Sequence, residues 1–502
     1  MKLVAAALAL ALTAAPAAYA AQSDGLTDAG EPIVTSDSLA GNYLAARIAA
    51  NDKDTSAASA YYKRVLDLDP DNEEVQLKAF LTYVANGEFD AAIELGTPLG
   101  KLPNTPEMVA IVMAVDDLRS RNWKGVEKRL DRDWQSSLDR LVAGLVRAWG
   151  LSGAGKADDA LAIIDDLDGP AWFDLFTQYH GGLIALAANR PDDAADRLKV
   201  AVENRAGAQG SGETYMRAVE AYVSALVAEG DAATADETVR EFRELQPQNP
   251  ALAALEPLLA EGGKPAIIRK AKRGAAEVLM NIGTALNREG GENFARIYMQ
   301  LANVLASEDI LVRASLADLL DRQGLLTKAN ALFDTIPEES AYGRIARLEQ
   351  ALNLDEMGDF DAARKELEAL SADRPDDLVV SLSYGAVLAR HEKFADAAKV
   401  YQAAVDRLDV PQPRHWNLYY RLGIAYERTG NWPFAEAAFR NALVLNPDQP
   451  SVLNYLGYSL VEMDEKVPEA LDMIRKAVDQ RPNDGYIVDS LGWAYYKLKR
   501  FP

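Results

Sequence analysis

The sequence predicts an all-α superhelical solenoid of about twelve helical hairpins followed by an unpaired first helix, and three observations predict it. From Tyr419 the chain spells Tyr419, Leu422, Gly423, Tyr426, Ala435, Phe439, Ala442 and Pro447, which sets large residues of one helix against small residues of the next. A residue equivalent to Ala435 recurs at Ala58, Ala91, Val126, Ala160, Ala194, Ala235, Ala295, Ala329, Ala363, Ala397 and Ala470, and most of the intervals are 34 residues or within one of it. Prolines at Pro70, Pro247, Pro375, Pro447 and Pro482 follow the second helix of a unit, where a fixed φ and a missing N–H end a helix without loss.

The elements follow in order from this ruler. Residues 1–20 open with Lys2, continue with the apolar run Leu3 to Pro16 and close on Ala18-Tyr19-Ala20, the pattern of a secretory signal peptide cleaved after Ala20. The run is shorter than the roughly 20 residues a membrane span needs. Export to the bacterial periplasm is therefore expected. With no cysteine anywhere in the chain, a lipid anchor on a mature amino-terminal cysteine, disulfides and thiol nucleophiles are all excluded. No later segment is long and apolar enough to cross a bilayer, so no integral membrane segment is expected in the mature chain.

Residues 21–246 form a first array in which the pattern is degenerate: Val126 replaces the small residue and several glycines are missing. The interval of 60 between Ala235 and Ala295 marks an interruption. Residues 247–273 carry a short apolar stretch, Leu252 to Leu259, then Gly262-Gly263, then Lys264, Arg269, Lys270, Lys272 and Arg273 without an acid. This reads as a short extra helix and a joint between sub-arrays. The basic run is either the solvated start of the next helix or a docking point for an acidic partner or for the chain's own first half. Residues 274–502 form the second array. In it Gly423 and Gly457 sit where a first helix crosses its second, and Thr429-Gly430-Asn431 and Met357-Gly358-Asp359 make short turns inside hairpins. The chain stops at Phe501-Pro502, just where another second helix should begin, so further repeats or another domain are expected beyond it.

The spacing W/Y-x2-L-G-x2-Y-x8-A-x3-F-x2-A-x4-P from Tyr419 resembles the tetratricopeptide (TPR) repeat family, strongly from Gly274 onward. The resemblance implies a helical array whose first helices line a concave surface that binds peptides or proteins. In the Tyr419 repeat the inward positions are Asn417, Tyr420, Ile424, Glu427 and Arg428, with Arg421 beside them. In the next they are Ser451, Asn454, Tyr458 and Glu462, and in the last Asp489, Trp493 and Tyr496. Residues three, four and seven apart share a helix face, so these side chains line a strip across successive hairpins. Aromatics give contact area at low entropic cost, and Asn can pair with a peptide backbone. The same aromatics can instead fill gaps between adjacent first helices. The K-x3-N-A carboxylate clamp of chaperone-binding TPR proteins is absent.

Leu453-Asn-Tyr-Leu-Gly-Tyr458, Val488-Asp-Ser-Leu-Gly-Trp-Ala-Tyr495 and Gly274-Ala-Ala-Glu-Val-Leu-Met-Asn281 are similar to a group of exported bacterial TPR proteins. That group includes the outer-membrane lipoprotein adaptor of a carboxyl-terminal processing protease. This resemblance implies an envelope-associated complex and covers roughly the second half. The missing cysteine removes that group's lipid anchor, and no binding residue carries over.

Other chemistries find no support. The formal charge of −23, from 53 basic and 76 acidic residues, repels phosphate backbones, so nucleic acid is not an expected partner. Acidic pairs such as Asp158-Asp159, Asp165-Asp166 and Asp192-Asp193 read as solvated helix ends, since adjacent helical residues do not face each other. Gly150-Leu-Ser-Gly-Ala-Gly155-Lys156-Ala157 approaches a phosphate-binding loop but ends on Ala157, which has no hydroxyl for magnesium, and it follows a helix instead of a strand. His180, His391 and His415 have no metal-ligand spacing. No cofactor, metal or catalytic residue is expected. The sequence therefore predicts a non-enzymatic interaction scaffold or adaptor. The alternative is the substrate-recruiting arm of an enzyme, for example a glycosyltransferase, whose catalytic domain lies beyond Pro502.

Overall fold

The computed structural model describes residues 27–28, 32–205, 211–246, 249–287 and 290–499. The predicted signal segment and Pro247 lie outside them. Among the described residues the regular structure is helical, in chain order α1 (Leu39–Asn51), α2 (Thr55–Leu68), α3 (Glu73–Asn86), α4 (Phe89–Leu99), α5 (Glu107–Arg119), α6 (Trp123–Leu130), α7 (Ser137–Gly153), α8 (Ala157–Asp165), α9 (Phe173–Ala187), α10 (Pro191–Glu203), α11 (Gly212–Glu229), α12 (Ala232–Leu245) and α13 (Pro250–Ala260). There follow α14 (Ala271–Leu286), α15 (Glu292–Leu305), α16 (Ile310–Arg322), α17 (Leu326–Phe333), α18 (Gly343–Glu356), α19 (Phe360–Asp373), α20 (Leu378–Arg390), α21 (Phe394–Val405), α22 (Trp416–Arg428), α23 (Trp432–Leu445), α24 (Pro450–Glu462), α25 (Val467–Gln480) and α26 (Gly485–Lys497). A 3-10 turn, Pro413–His415, precedes α22. Setting aside α13, the predicted extra helix, and α26, the predicted unpaired one, these pair into twelve hairpins.

The small-residue ruler acquires a structural meaning. Ala58, Val126, Ala160, Ala194, Ala235, Ala295, Ala329, Ala363, Ala397, Ala435 and Ala470 are each fully buried and each the fourth residue of a second helix. Ala91 is the exception: it is partly exposed, and its neighbour Ala92 is the fully buried fourth residue of α4. With Ala92 in the register, the uneven intervals of 33 and 35 both become 34. The position is small because the first turn of the second helix crosses the first helix there. Val126 is tolerated because glycine faces it, a Cβ on Gly150 of α7 standing only 2.9 Å from Val126 Cγ1. The predicted crossing glycines behave as expected, since a Cβ on Gly423 would come within 2.6 Å of the Phe439 ring.

Inside each hairpin the turn passes through the left-handed region, at Gly358 with φ +90° and at Gly430 with φ +76°. Asp359 then caps α19, its Oδ1 accepting from Ala362 N at 3.1 Å. The glycine-rich segment at Gly150–Ala157 ends α7, makes another such turn at residues 154–156 with Gly155 at φ +78°, and enters α8. Pro70, Pro375, Pro447 and Pro482 each stand two residues past a second helix.

The chain packs as two compact units, one ending at Leu332 and the other beginning at Phe333. The boundary expected at 247–273, with a second array from 274, is thus not the boundary of the compact units, and α14, α15 and α16 belong to the first. Their reason for being there is packing. The α14–α15 hairpin lies against α3, α5, α7, α9 and α11, the first helices of the preceding repeats, as well as against its neighbour α16. The inner face of the first unit is therefore filled by the chain itself. Nearly the whole of α14 from Gly274 to Gly283 is buried, and a Cβ on Gly274 would overlap the Trp149 ring.

In the second unit α18–α25 stack as consecutive hairpins, and α26 packs on α24 and α25. Leu367, Tyr401 and Leu422 belong to one core cluster, and Phe439, Leu456, Ile474 and Ala494 to the next.

Candidate interaction surfaces

Two inner faces could in principle receive a partner, and they differ in what occupies them. In the first unit, Glu277 of α14 is wholly buried and surrounded by donors, Tyr179 and Arg217 from the repeats it faces and Arg273 from its own helix. Tyr179 donates its hydroxyl to Oε1 at 2.9 Å, Arg217 donates Nε to the same oxygen at 3.0 Å, and Arg273 donates to Oε2 at 2.8 Å. Burial alone would raise the Glu277 carboxyl, but Arg217 and Arg273 outweigh it and hold the group far below the ordinary carboxylate range. Close by, Trp149 donates to His180 Nδ1 at 3.3 Å, and burial pushes the His180 imidazole down to about 4. On α15, Tyr298 donates to Asp139 of α7 at 3.1 Å, and the buried Arg296 reaches Thr55 Oγ1 at 3.3 Å and Gln323 Oε1 at 2.7 Å. Lys328 of α17 joins the same end, 2.7 Å from Asn86 Oδ1 and 2.5 Å from Asp28. Of the basic run, Arg273 is committed to Glu277 and Asp309 within this unit, whereas Lys264, Arg269 and Lys270 are exposed.

In the second unit the sequence-derived strip separates into two kinds of residue. Tyr420 and Ile424 are half-buried and pack on the core. The Tyr420 ring sits about 6 Å from the rings of Trp416, Phe439 and Tyr455. Glu427 accepts from the Tyr455 hydroxyl at 3.1 Å, and Arg428 lies over the Phe394 ring at 4.6 Å. Arg421 Nε and Asn454 Oδ1 are shut from solvent without a hydrogen-bond partner, and Asn417 and Ser451 are half-buried. Tyr420 and Glu427 thus join α22 to the next first helix through Tyr455, and Arg428 joins it to α21.

Tyr458, Glu462, Asp489, Trp493 and Tyr496 are exposed. Trp493 and Tyr496 stack at 5.4 Å with an interplanar angle of 23°, Trp493 donates its indole N–H to Glu462, and Tyr458 lies in the field of Glu462 and Asp489. The outcome is an aromatic patch with two carboxylates on α24 and α26. Sequence reading passed over Tyr455, which welds α22 to α24, and Tyr486, 89% exposed at the start of α26. Tyr455 follows Asn454 directly and so falls outside the inward spacing; its role depends on α22 lying beside it.

Tetratricopeptide-repeat family models match residues 49–100, 348–413 and 416–449. These three segments carry tetratricopeptide repeats. TPR arrays are protein-interaction scaffolds, and among the described residues no helix is long and apolar enough to cross a membrane. Among curated proteins, the chain is 29% identical over 153 residues to a TPR repeat-containing protein of Pseudomonas aeruginosa, a match covering 30% of this chain and 25% of that one. It is 36% identical over 64 residues to Cell division cycle protein 27 homolog B of Arabidopsis thaliana, covering 13% of this chain and 8% of that one. The matches therefore span a quarter or less of these relatives. Among solved structures, the Cut9–Hcn1 hetero-tetramer of the APC/C aligns at TM-score 0.36 and 14% identity, over 91% of this chain and 96% of that one. MamA of Desulfovibrio magneticus aligns at TM-score 0.30 and 21% identity, over 35% and 97%. A TPR protein of Parabacteroides merdae aligns at 0.34 and 17%, over 57% and 99%.

Proposed function

We propose that this TPR protein is a non-enzymatic scaffold of the bacterial periplasm that holds a peptide or protein partner on the inner strip of its second unit and presents it within an envelope-associated complex. The observation that carries the reading is the contrast between the two inner faces. That of the first unit is filled by α14 and α15, while that of the second leaves Tyr458, Trp493 and Tyr496 open beside Glu462 and Asp489. Exposed rings already stacked and anchored lose little freedom on binding, so their area is available to a partner at low entropic cost. The signal pattern of residues 1–20 supports export.

The test is photo-crosslinking in cells from a reactive group placed at Val488, followed by identification of the captured partner. In the Tyr458→Ala, Trp493→Ala, Tyr496→Ala triple variant, recovery of that partner should fall about tenfold or more, as expected when several interface aromatics are truncated. Undiminished recovery from a folded variant would remove the strip from consideration. A carboxyl-terminal alkaline phosphatase fusion, active only outside the cytoplasm, tests export, and an inactive but intact fusion would overturn it.

A further inference from the structure

A cleft of about 690 Å³ opens between α4, α5 and α6, lined by no residue of the α14–α15 hairpin and in the other unit from the strip. Its floor is apolar, formed by Val109, Ala110 and Met113 of α5, and its rim carries Lys101, Lys128, Arg129 and Arg132. One acid faces the cleft, Asp117, and it is already satisfied: Arg129 donates to Oδ2 at 2.5 Å and Asn122 to Oδ1 at 2.7 Å. Lys101, Lys128 and Arg132 form no ion pair with a described residue. The Arg132 guanidinium rests over the Trp134 ring, 5.4 Å from its centre, which holds it at the rim without neutralising it.

Local charge departs sharply from the global balance. From Arg119 to Arg132 the chain places six cations against two acids, in a protein of formal charge −23. Unneutralised cations around a low-dielectric floor attract an anion, and the apolar floor adds affinity only for a ligand that also brings an apolar group. A polyanion of phosphates would meet the repulsion of the whole acidic surface, whereas a short segment with two or three carboxylates would feel mainly the nearby rim.

We infer that this cleft is a second binding site, for an acidic peptide segment of a partner protein in which Asp or Glu flanks an apolar side chain. The carboxylates would pair with Lys101, Lys128 and Arg132, and the apolar side chain would rest on Met113 and Ala110. The site is independent of the aromatic strip, so either can fail without the other.

The experiment titrates the full exported chain with a fluorescent peptide carrying leucine between glutamates and aspartates, beside a matched peptide with lysines in place of the acids and beside inorganic phosphate and tripolyphosphate. The acidic peptide should bind, bind less tightly as salt rises, and lose about tenfold or more of its affinity in the Lys101→Ala, Lys128→Ala, Arg132→Ala variant, these being exposed rim charges. Its affinity should be unchanged by the Tyr458→Ala, Trp493→Ala, Tyr496→Ala variant. Zero-length carboxyl-to-amine crosslinking should map to Lys101 or Lys128. Equal binding of the lysine peptide, unchanged affinity in the rim variant, crosslinks confined elsewhere, or tripolyphosphate displacing the peptide at equal affinity would each overturn the assignment.

Discussion

Gly457 of α24 faces Ile474 and the Ala470 carbonyl across a hairpin crossing, and a Cβ there would stand 2.8 Å from Ile474 Cγ1 and 2.9 Å from the carbonyl oxygen. The second atom is backbone, so a rotamer change cannot relieve the contact. Gly457→Leu should cost about 1–3 kcal/mol through overpacking and lower Tm; an unchanged thermal profile would contradict the register. The opposite effect is expected at Glu392, which sits at φ 58° in the turn position that Gly358 fills elsewhere. Glu392→Gly relieves that left-handed strain but gives the unfolded chain more freedom to lose on folding, leaving a gain of roughly 0.5–1 kcal/mol that a urea midpoint would register. His180 supplies a pH dependence. Burial depresses its folded value to about 4 from 6.5, so between these values the unfolded chain takes up a proton that the folded chain refuses. Stability from this group is complete above the upper value and lost as pH falls toward the lower, by an amount on the order of a few kcal/mol. Asp139 and Glu213, raised by burial in the same unit, act with the opposite sign. The informative quantity is thus the difference between the wild type and His180→Gln, and a difference that does not change with pH would refute the assignment.

At the scale of the element, α14 is held by one buried carboxylate shared among Arg217, Arg273 and Tyr179. Glu277→Gln keeps the shape but leaves two guanidiniums without their shared counter-charge. Stability of the first unit should drop by about 3–5 kcal/mol, the usual cost of breaking a buried pair from one side. Hydrogen exchange should locate the loss in α14 and the helices facing it. If exchange in α7, α9 and α11 is unchanged, the carboxylate does not anchor the hairpin. The interval of 60 announced that something interrupts the repeats, and the apolar run 252–259 announced the extra helix that became α13. Which face the following hairpin would fill was not legible, because the contacts join residues far apart: Tyr179 to Glu277 across 98 residues and Arg296 to Lys53 across 243. No 34-residue period contains that information.

At the scale of the molecule, each compact unit should respond to its own substitutions. Glu277→Gln is expected to lower hydrogen-exchange protection before Leu332, and Gly457→Leu to lower it after Phe333, with little spread between them. Loss of protection across both units from either change would mean that they unfold as one. The candidate surfaces were legible to different degrees. Spacing along α22, α24 and α26 located the strip, but it could not separate Tyr420, which became core, from Tyr458, which stayed open, since that depends on the neighbouring first helix. The rim of the cleft did leave a signal, the cation-rich stretch Arg119 to Arg132, overlooked beside the acid-free run at Lys264 to Arg273.

The sequence by itself determined the repeat: the crossings marked by a small residue early in nearly every second helix, the turns, and the prolines that follow. These are local because a crossing joins residues within one hairpin and each repeat can state it alone. Tertiary structure alone decided that the first unit closes on α14 and α15, and which strip aromatics remain open. It also decided that Lys101, Lys128 and Arg132 ring one cleft. Those outcomes depend on how helices of different hairpins pack on one another, and no single repeat encodes it.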